Sequence, residues 1–252
     1  ALGWQDPISL GEEALSHVNK GYKAVKLRVG DKIKNDIDRV KQVRKVLKED
    51  VEILVDANTN YTIKDAQKAI PFPAMEFNNY RKAITFGNLS LAAGENHFTR
   101  FEFSRLVEDN VINYAQPDVS KAGGITEVIR IANLMSGWNV SINPHTSLTG
   151  INMAASIHIL ASVDNAGFFE GDVTSFNPFR DDMSEIPFKL DKDGTVIPSD
   201  LPGIGISINE KFLEKYPYNQ NAWFEIGKLY FDKKMIKESI ASQEFSIICD
   251  ET

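Results

Sequence analysis

The sequence predicts an α/β fold, a parallel (β/α) barrel of the TIM type. Helical and strand-like patterns alternate from about residue 9 to residue 170, which is typical of a parallel sheet covered by helices. A polar side chain ends or follows each strand-like segment, and parallel barrels build their active sites from side chains at strand ends. These positions are Lys26, Asp56, Glu95, Asp118, His145 and Glu170.

The spacing of these positions also favours a barrel. Most of them lie about 23 to 30 residues apart, which suits one βα unit in a barrel of eight units and about 250 residues. The interval from Asp56 to Glu95 is about 39 residues, too long for one unit and too short for two. We therefore expect the barrel to be incomplete between these two residues.

The first predicted elements are a helix and a strand. Apolar residues at helical spacing precede a stop at Gly21; they are Leu10, Ala14 and Val18. Residues 24–29 predict a strand. Lys26 and Arg28 lie on one face of it, because side chains alternate along a strand.

The later elements continue the alternation. An amphipathic helix is predicted at 33–47, a strand at 51–55, and the start of a helix at 62–70. Residues 128–135 carry the apolar face of another helix, and residues 138–143 return to a strand. This order supports the parallel barrel.

Composition limits the classes of partner. The net charge of −7 argues against nucleic acid or an anionic membrane surface as the main partner. No stretch of the sequence is apolar over a length that spans a bilayer. The single cysteine, Cys249, excludes an intrachain disulfide and fits a reducing compartment, so we expect a cytoplasmic protein.

The pattern changes after the predicted barrel domain, residues 1–187. Residues 188–217 are irregular and rich in proline and glycine, which predicts a wrap-around segment. Residues 218–252 predict a helical hairpin that resembles one tetratricopeptide repeat, through Trp223, Ile226, Gly227 and Tyr230. A generic terminal hairpin fits equally well. A single repeat cannot bury its own apolar face, so the tail would pack on the barrel or on a protein partner.

Six strings carry a family resemblance over residues 1 to about 216. They resemble the barrel domain of the enolase superfamily, in its mandelate racemase-like subgroup of acid-sugar dehydratases and racemases. The strings are Ala24-Val25-Lys26-Leu27-Arg28-Val29-Gly30, Val55-Asp56-Ala57-Asn58, Ala92-Ala93-Gly94-Glu95-Asn96, Gln116-Pro117-Asp118 with Lys121-Ala122-Gly123-Gly124-Ile125, Pro144-His145-Thr146-Ser147, and Phe168-Phe169-Glu170-Gly171-Asp172.

The resemblance implies a Mg²⁺ site and a small sugar-acid substrate. Three carboxylates at consecutive strand ends hold the metal in this family, and Asp56 and Glu95 would be the first and third. Mg²⁺ prefers octahedral oxygen ligands and keeps positions for water or substrate. The substrate carboxylate would take those positions, which makes its α-proton acidic. Asn58 and Asn96, beside the two metal ligands, would bind substrate.

The resemblance also implies the acid–base chemistry. His145 would be the base, oriented by Asp118, which also raises its basicity. Lys26 would face the opposite side of the substrate, as a second acid/base or an electrostatic partner, and Glu170 would hydrogen-bond the carboxylate. In a dehydratase, protonated His145 would deliver its proton to the departing β-hydroxyl.

Two departures from the family pattern stand out. The family's Lys-x-Lys is Lys26-Leu27-Arg28 here, and Arg28 can orient substrate but cannot act as a base. The family's middle metal ligand lies in a Glu-Glu-Pro motif on the fourth strand. Pro71 stands where that proline is expected, after residues that continue a helix. We therefore expect the fourth strand and its two glutamates to be missing, together with the N-terminal capping domain.

Three functions remain open from the sequence. The first is a Mg²⁺-dependent lyase that dehydrates a sugar acid. The second is an inactive remnant that acts as an interaction or scaffold protein. The third is a racemase or epimerase, which needs two bases and would use Lys26 as the second. Barrels of this family commonly associate, so a homo-oligomer is compatible with each.

Simpler readings of single residues also exist. Asp56 alone fits a turn or a helix cap, and His145 alone fits a structural histidine. Lys121 is a rival base, because a lysine near this place is the base in the muconate-lactonising and dipeptide-epimerase branch. The joint pattern of the strings favours His145.

Overall fold

A computed structural model describes residues 2–58, 60–61, 90–108, 112–146, 149–174, 177–184 and 189–215 of the chain. The helices in these ranges are α1 (Pro7–Asn19), α2 (Ile33–Val46), α3 (Thr99–Glu108), α4 (Gly124–Ser136), α5 (Gly150–Ser162), α6 (Pro178–Asp181) and α7 (Glu210–Lys215). The strands are β1 (Ala24–Arg28), β2 (Glu52–Asp56), β3 (Ala92–Ala93), β4 (Tyr114–Ala115) and β5 (Ser141–Ile142).

The described strands pair in parallel. β1 pairs with β2, with Arg28 opposite Asp56, and β3, β4 and β5 form a second sheet in that order. A single parallel bridge joins Asp118 to His145 beyond the ends of β4 and β5. Parallel pairing places the carboxyl ends of neighbouring strands at one edge, which is the edge that carries the predicted site.

The helices form where the apolar periodicity predicts them. α2 covers nearly the whole predicted range, and α4 buries Val128, Ile131, Ala132 and Met135, the residues that predicted its apolar face. α1 begins at an Asp6 cap that accepts hydrogen bonds from two backbone amides, and it ends one residue before Lys20. The predicted helix face and the following Gly21, at a φ of 113°, agree with this end.

Two groups of buried apolar side chains hold the elements together. One lies between the three-stranded sheet and helices α3 and α4, and includes Phe103, Leu106, Ile131, Met135 and Ile142. The other lies between the β1–β2 pair and helices α1 and α2, and includes Leu10, Ala14, Leu27, Val40 and Val43. Each sheet therefore packs on its own helices, and the candidate site residues lie in the loops at the carboxyl ends of the strands.

Several strands are shorter than the sequence pattern predicts. β3, β4 and β5 have two residues each, and β5 lies inside the strand predicted at 138–143. The segment that carries Glu170 is irregular, and its strand pairing is a single bridge from Ala166 to Ile142. Hydrogen bonds with side chains hold this segment in place instead of a ladder of backbone hydrogen bonds.

Other predictions fall partly or wholly outside the described residues. The helix at 62–70, the missing fourth strand before Glu95, and the tail hairpin at 218–252 lie there. Within the predicted wrap-around segment, Phe212 packs with Ile151 and Met183, so the chain after residue 188 returns to α5. The boundaries of the three predicted domains stay predictions.

Among the helices of the described ranges, none combines the length and the apolar character that crossing a membrane requires.

A buried carboxylate organises the turn after β1. Asp36 is 3% exposed and accepts hydrogen bonds from the backbone amides of Gly30 and Asp31 and from the hydroxyl of Tyr61. Its second oxygen pairs with Arg39. Asp36 therefore holds the turn that follows the strand of Lys26 and Arg28.

We expect Asp36→Ala to lower the free energy of unfolding by about 2–4 kcal/mol, because it removes a charged partner of Arg39 and the acceptor of two backbone amides and the Tyr61 hydroxyl. Urea unfolding at neutral pH measures this. Asp38→Ala, at an exposed position of the same helix, is the matched control and should change the value by less than about 0.5 kcal/mol. Equal losses in both variants would contradict the assigned role.

Candidate active site

A buried carboxylate and an imidazole form the centre of the candidate site. Asp118 is fully buried, and its Oδ2 lies 2.8 Å from Nδ1 of His145. The two residues are neighbours because each follows a parallel strand, and the backbone amide of His145 donates to the carbonyl of Pro117. The structure therefore brings this predicted pair together.

The surroundings of Asp118 keep it ionised. Burial alone would raise the pKa of its carboxyl, but hydrogen bonds from His145 and from the amide of Ser120, together with nearby positive charge, hold the pKa below its usual range. An ionised carboxylate only accepts hydrogen bonds, so Nδ1 of His145 must carry a proton. The other ring nitrogen, Nε2, is then the atom available for acid–base work.

Glu95 lies on the open side of the imidazole. Its Oε2 is 3.2 Å from Nε2 of His145. Gly94 allows the chain to turn here, since its φ is 138° and a Cβ would lie 2.7 Å from the ring of Phe103. Asn96 donates to the carboxylate of Glu95 and accepts from Lys121.

Lys26 links the end of β2 to the segment that carries Glu170. Its Nζ lies 3.5 Å from Oδ2 of Asp56 and also contacts Oε1 of Glu170. Burial would lower the pKa of this amine, but the charges of Glu170, Asp56 and, more weakly, Glu95 outweigh burial and raise the pKa above its usual value. Lys26 is therefore a cation held among carboxylates.

The remaining predicted residues lie at the same edge with fewer contacts. The backbone amide of Asn58 donates to Oδ1 of Asp56 in a turn where Asn58 has a φ of 43°. Arg28 lies two residues after Lys26 on the same face of β1, and no ion pair joins it to another residue of the described ranges. The structure thus brings Asn58 beside Asp56 through its backbone, and it leaves Arg28 at the rim.

The donor set fits a magnesium ion in its chemistry. Asp56 and Glu95 supply the carboxylate oxygens that Mg²⁺ prefers. Oε2 of Glu170 is buried and has no hydrogen-bond partner among the described residues. Within those residues, no group of three or more acidic, histidine or cysteine side chains is arranged around a single metal position.

Sequence reasoning missed Asn152 and Ser120. Nδ2 of Asn152 lies 2.8 Å from Oδ1 of Asp118 and 2.8 Å from Oγ of Ser120. A signal was present, because Asn152 and Ser156 are polar residues one turn apart in α5, a helix whose other residues are mostly apolar. A buried polar pair of this kind needs a partner across the helix surface.

The comparisons with known proteins agree with this fold. The family described as enolase C-terminal domain-like matches residues 9–212. A solved structure of an enolase superfamily member from a Polaromonas species has a TM-score of 0.80 and 47% identity, over 85% of this chain and 60% of that one. The 3,6-anhydro-D-galactonate cycloisomerase of Zobellia galactanivorans has a TM-score of 0.74 and 30% identity, over 82% and 62%.

Curated relatives are sugar-acid dehydratases. An arabinonate dehydratase of Saccharolobus solfataricus is 29% identical over 84% of this chain and 60% of its own length. A D-galactonate dehydratase of Ralstonia nicotianae is 35% identical over 56% of this chain and 38% of its own length. The chain thus covers no more than 60% of these two relatives.

The chain belongs to the enolase C-terminal domain-like family and resembles the mandelate racemase-like and acid-sugar dehydratase members of the enolase superfamily. These relatives confirm the predicted family and an α/β fold of the TIM type. The roles of the individual site residues stay predictions.

We expect Asp118→Asn to lower the free energy of unfolding at neutral pH by about 1–3 kcal/mol, because an amide replaces a buried charged acceptor. The pKa of Asp118 lies below its usual 3.8 in the folded state. The carboxylate therefore stabilises the fold above that pH, and the difference between the proteins should vanish as the pH falls through the folded-state pKa. Urea unfolding of both proteins at a series of pH values measures it.

The control is Asp164→Asn, at an exposed position, which should leave the free energy of unfolding unchanged across the series. A difference between wild type and Asp118→Asn that stays constant down to the lowest pH would contradict the ionised state assigned to Asp118.

Proposed function

We propose that this chain carries the catalytic residues of a Mg²⁺-dependent dehydratase. The reaction removes the proton α to the carboxylate of a sugar acid and eliminates the β-hydroxyl as water. The observation that carries the proposal is the Asp118–His145 pair: Asp118 holds Nδ1, and Nε2 lies 3.2 Å from Oε2 of Glu95, one of the two carboxylates proposed to hold the metal.

His145 would move the proton in both steps. Asp118 holds Nδ1–H, so Nε2 takes the proton from the α-carbon. The same Nε2–H then protonates the β-hydroxyl as its C–O bond breaks, and water leaves. The enol that results tautomerises to a 2-oxo-3-deoxy acid, and the imidazole returns to its starting form.

The surroundings of Lys26 suit an electrostatic role. A racemase needs a second base on the opposite face, and a lysine serves as one only in its neutral form. The ammonium of Lys26 lies between the carboxylates of Asp56 and Glu170, whose charges favour its protonated form. Lys26 would therefore stabilise negative charge that develops on the substrate, with Glu170 holding the ammonium in place. Arg28 at the rim would orient the bound acid.

Asp56 and Glu95 would hold the metal. Bound Mg²⁺ supplies a positive charge that makes the proton α to a coordinated carboxylate more acidic. Asn58 and Asn96, next to these two carboxylates, would contact hydroxyl groups of the substrate. The names of the relatives favour an aldonic acid with hydroxyls on both the α- and the β-carbon.

The proposal also includes the predicted cellular setting and partners. We propose a cytoplasmic location, a homo-oligomer, and a protein partner for residues 218–252. The candidate site itself would bind a small sugar acid.

We expect His145→Asn to lower dehydratase kcat at least about 100-fold, because Asn cannot exchange a proton at neutral pH. Formation of the 2-oxo-3-deoxy acid from a panel of aldonates, detected as its semicarbazone, measures the rate. The matched control is His158→Gln in α5, where Nε2 of His158 has no hydrogen-bond partner among the described residues. It should keep the wild-type rate.

Two outcomes would contradict the proposed reaction. If His145→Asn turns over as fast as wild type, His145 is not the base. If the wild type gives the C2 epimer of an aldonate and no 2-oxo acid, the chain is an epimerase.

We expect wild type to bind Mg²⁺, and Asp56→Asn and Glu95→Gln each to weaken binding at least about tenfold, because each removes a carboxylate ligand. Isothermal titration with magnesium chloride measures this without turnover. Glu12→Gln, at an exposed position of α1, should bind as wild type does. Absence of Mg²⁺ binding to the wild type would favour the non-catalytic scaffold instead.

A further inference from the structure

Helix α5 carries a polar pair inside an apolar environment. Most of its residues are buried, and Asn152 and Ser156 are 2% and 0% exposed. Burying an amide away from water costs free energy unless every donor and acceptor has a partner. The hydrogen-bond partners of Asn152 and Ser156 therefore indicate why polar side chains occur in this apolar helix.

The amide of Asn152 points at the carboxylate of the proposed dyad. Its Nδ2 donates to Oδ1 of Asp118 and to Oγ of Ser120, each at 2.8 Å. Its Oδ1 accepts from the hydroxyl of Ser156 at 3.3 Å. The hydroxyl of Ser156 thus fixes which end of the amide faces Asp118, and the amide nitrogen donates to Asp118 and to Ser120.

The two oxygens of Asp118 have separate partners. Oδ1 accepts from Asn152 and from the backbone amide of Ser120 at 2.8 Å. Oδ2 accepts from His145. Two donors on one oxygen fix the rotation of the carboxylate about its Cβ–Cγ bond. Oδ2 is then aimed at Nδ1 of the imidazole.

We propose that Asn152 is a positioning residue, which holds the carboxylate of Asp118 so that His145 keeps its Nδ1–H tautomer and its orientation. The inference rests on the proposed function for its consequence in catalysis, and on the hydrogen bonds alone for its structural part. Asn152 acts through Asp118, and the imidazole does the chemistry. Misalignment of a catalytic base by a partner one contact away typically costs about 10- to 100-fold in activity.

The kinetic test uses Asn152→Leu, which keeps the size of the side chain and removes the amide. We expect kcat to fall about 10- to 100-fold with KM unchanged, because substrate contacts are untouched. The matched control is Asn165→Leu. Asn165 also donates two hydrogen bonds, to the carbonyls of Ala132 and Val140, but away from the dyad. It should lose stability and keep its kcat.

A double-mutant cycle separates positioning from general destabilisation. In an Asp118→Asn background, Asn152→Leu should lower kcat by less than about twofold further, because the group it acts through is already changed. The full 10- to 100-fold loss in that background would overturn the proposal. If Asn152→Leu does not fold, Ser156→Ala takes its place in the cycle and should shift kcat in the same direction by less.

A measurement without turnover keeps this inference distinct from the proposed reaction. The ¹⁵N chemical shifts of His145 at alkaline pH, where the imidazole is neutral, report the tautomer. We expect Nδ1–H alone in wild type and in Asn165→Leu, and a mixture of tautomers in Asn152→Leu. An unchanged tautomer in Asn152→Leu would overturn the proposal. If Asn152→Leu shows a mixture of tautomers and the wild-type protein dehydrates no aldonate, the positioning role of Asn152 stands and the proposed reaction is refuted.

Discussion

The parallel pairing of the strands is the constraint on which the site depends. Arg28 lies opposite Asp56 at the end of β1 and β2, and Asp118 bridges to His145 just beyond β4 and β5. In an antiparallel sheet these carboxyl ends would alternate between two edges. The short ladders suffice because buried apolar clusters hold each sheet on its helices. Short strands that pack on well-anchored helices are therefore enough to fix the positions of the loops at their carboxyl ends.

The charges at that edge are consistent with the proposed Mg²⁺ site. Within the described residues, the carboxylates of Asp56, Glu95, Glu170 and Asp118 make their ion pairs with Lys26 and His145. Carboxylates in excess of their cations repel one another and repel an anionic substrate. A divalent ion at Asp56 and Glu95 would balance the negative charge of the carboxylates and would attract an anionic substrate. The nearby charges of Glu170 and Asp56 also raise the pKa of Lys26 above its usual value, against the effect of burial.

The sequence predicts much of this arrangement, for physical reasons that can be stated. Helix periodicity located α2 and α4, because a helix that buries one face has apolar residues spaced three to four positions apart. Alternation on β1 placed Lys26 and Arg28 on one face. The contact of Asp118 with His145 followed from the strand spacing. Asn152 was missed because its partner lies across a helix–loop contact, which no local period records.

The position of Glu170 shows how a site residue can depend on side chains in place of a strand. The amide of Phe168 donates to Oδ1 of Asn143, and the hydroxyl of Thr146 donates to the carbonyl of Glu170. Gly167 allows the close approach, since a Cβ there would lie 1.9 Å from that same oxygen of Asn143. These bonds tie the segment to the loop of His145 and bring the Glu170 carboxylate to Lys26. Lys26 and His145 are thus brought to one site by a segment of irregular backbone. The geometry of this segment follows from Asn143 and Gly167, and the two-residue period of a strand does not predict it.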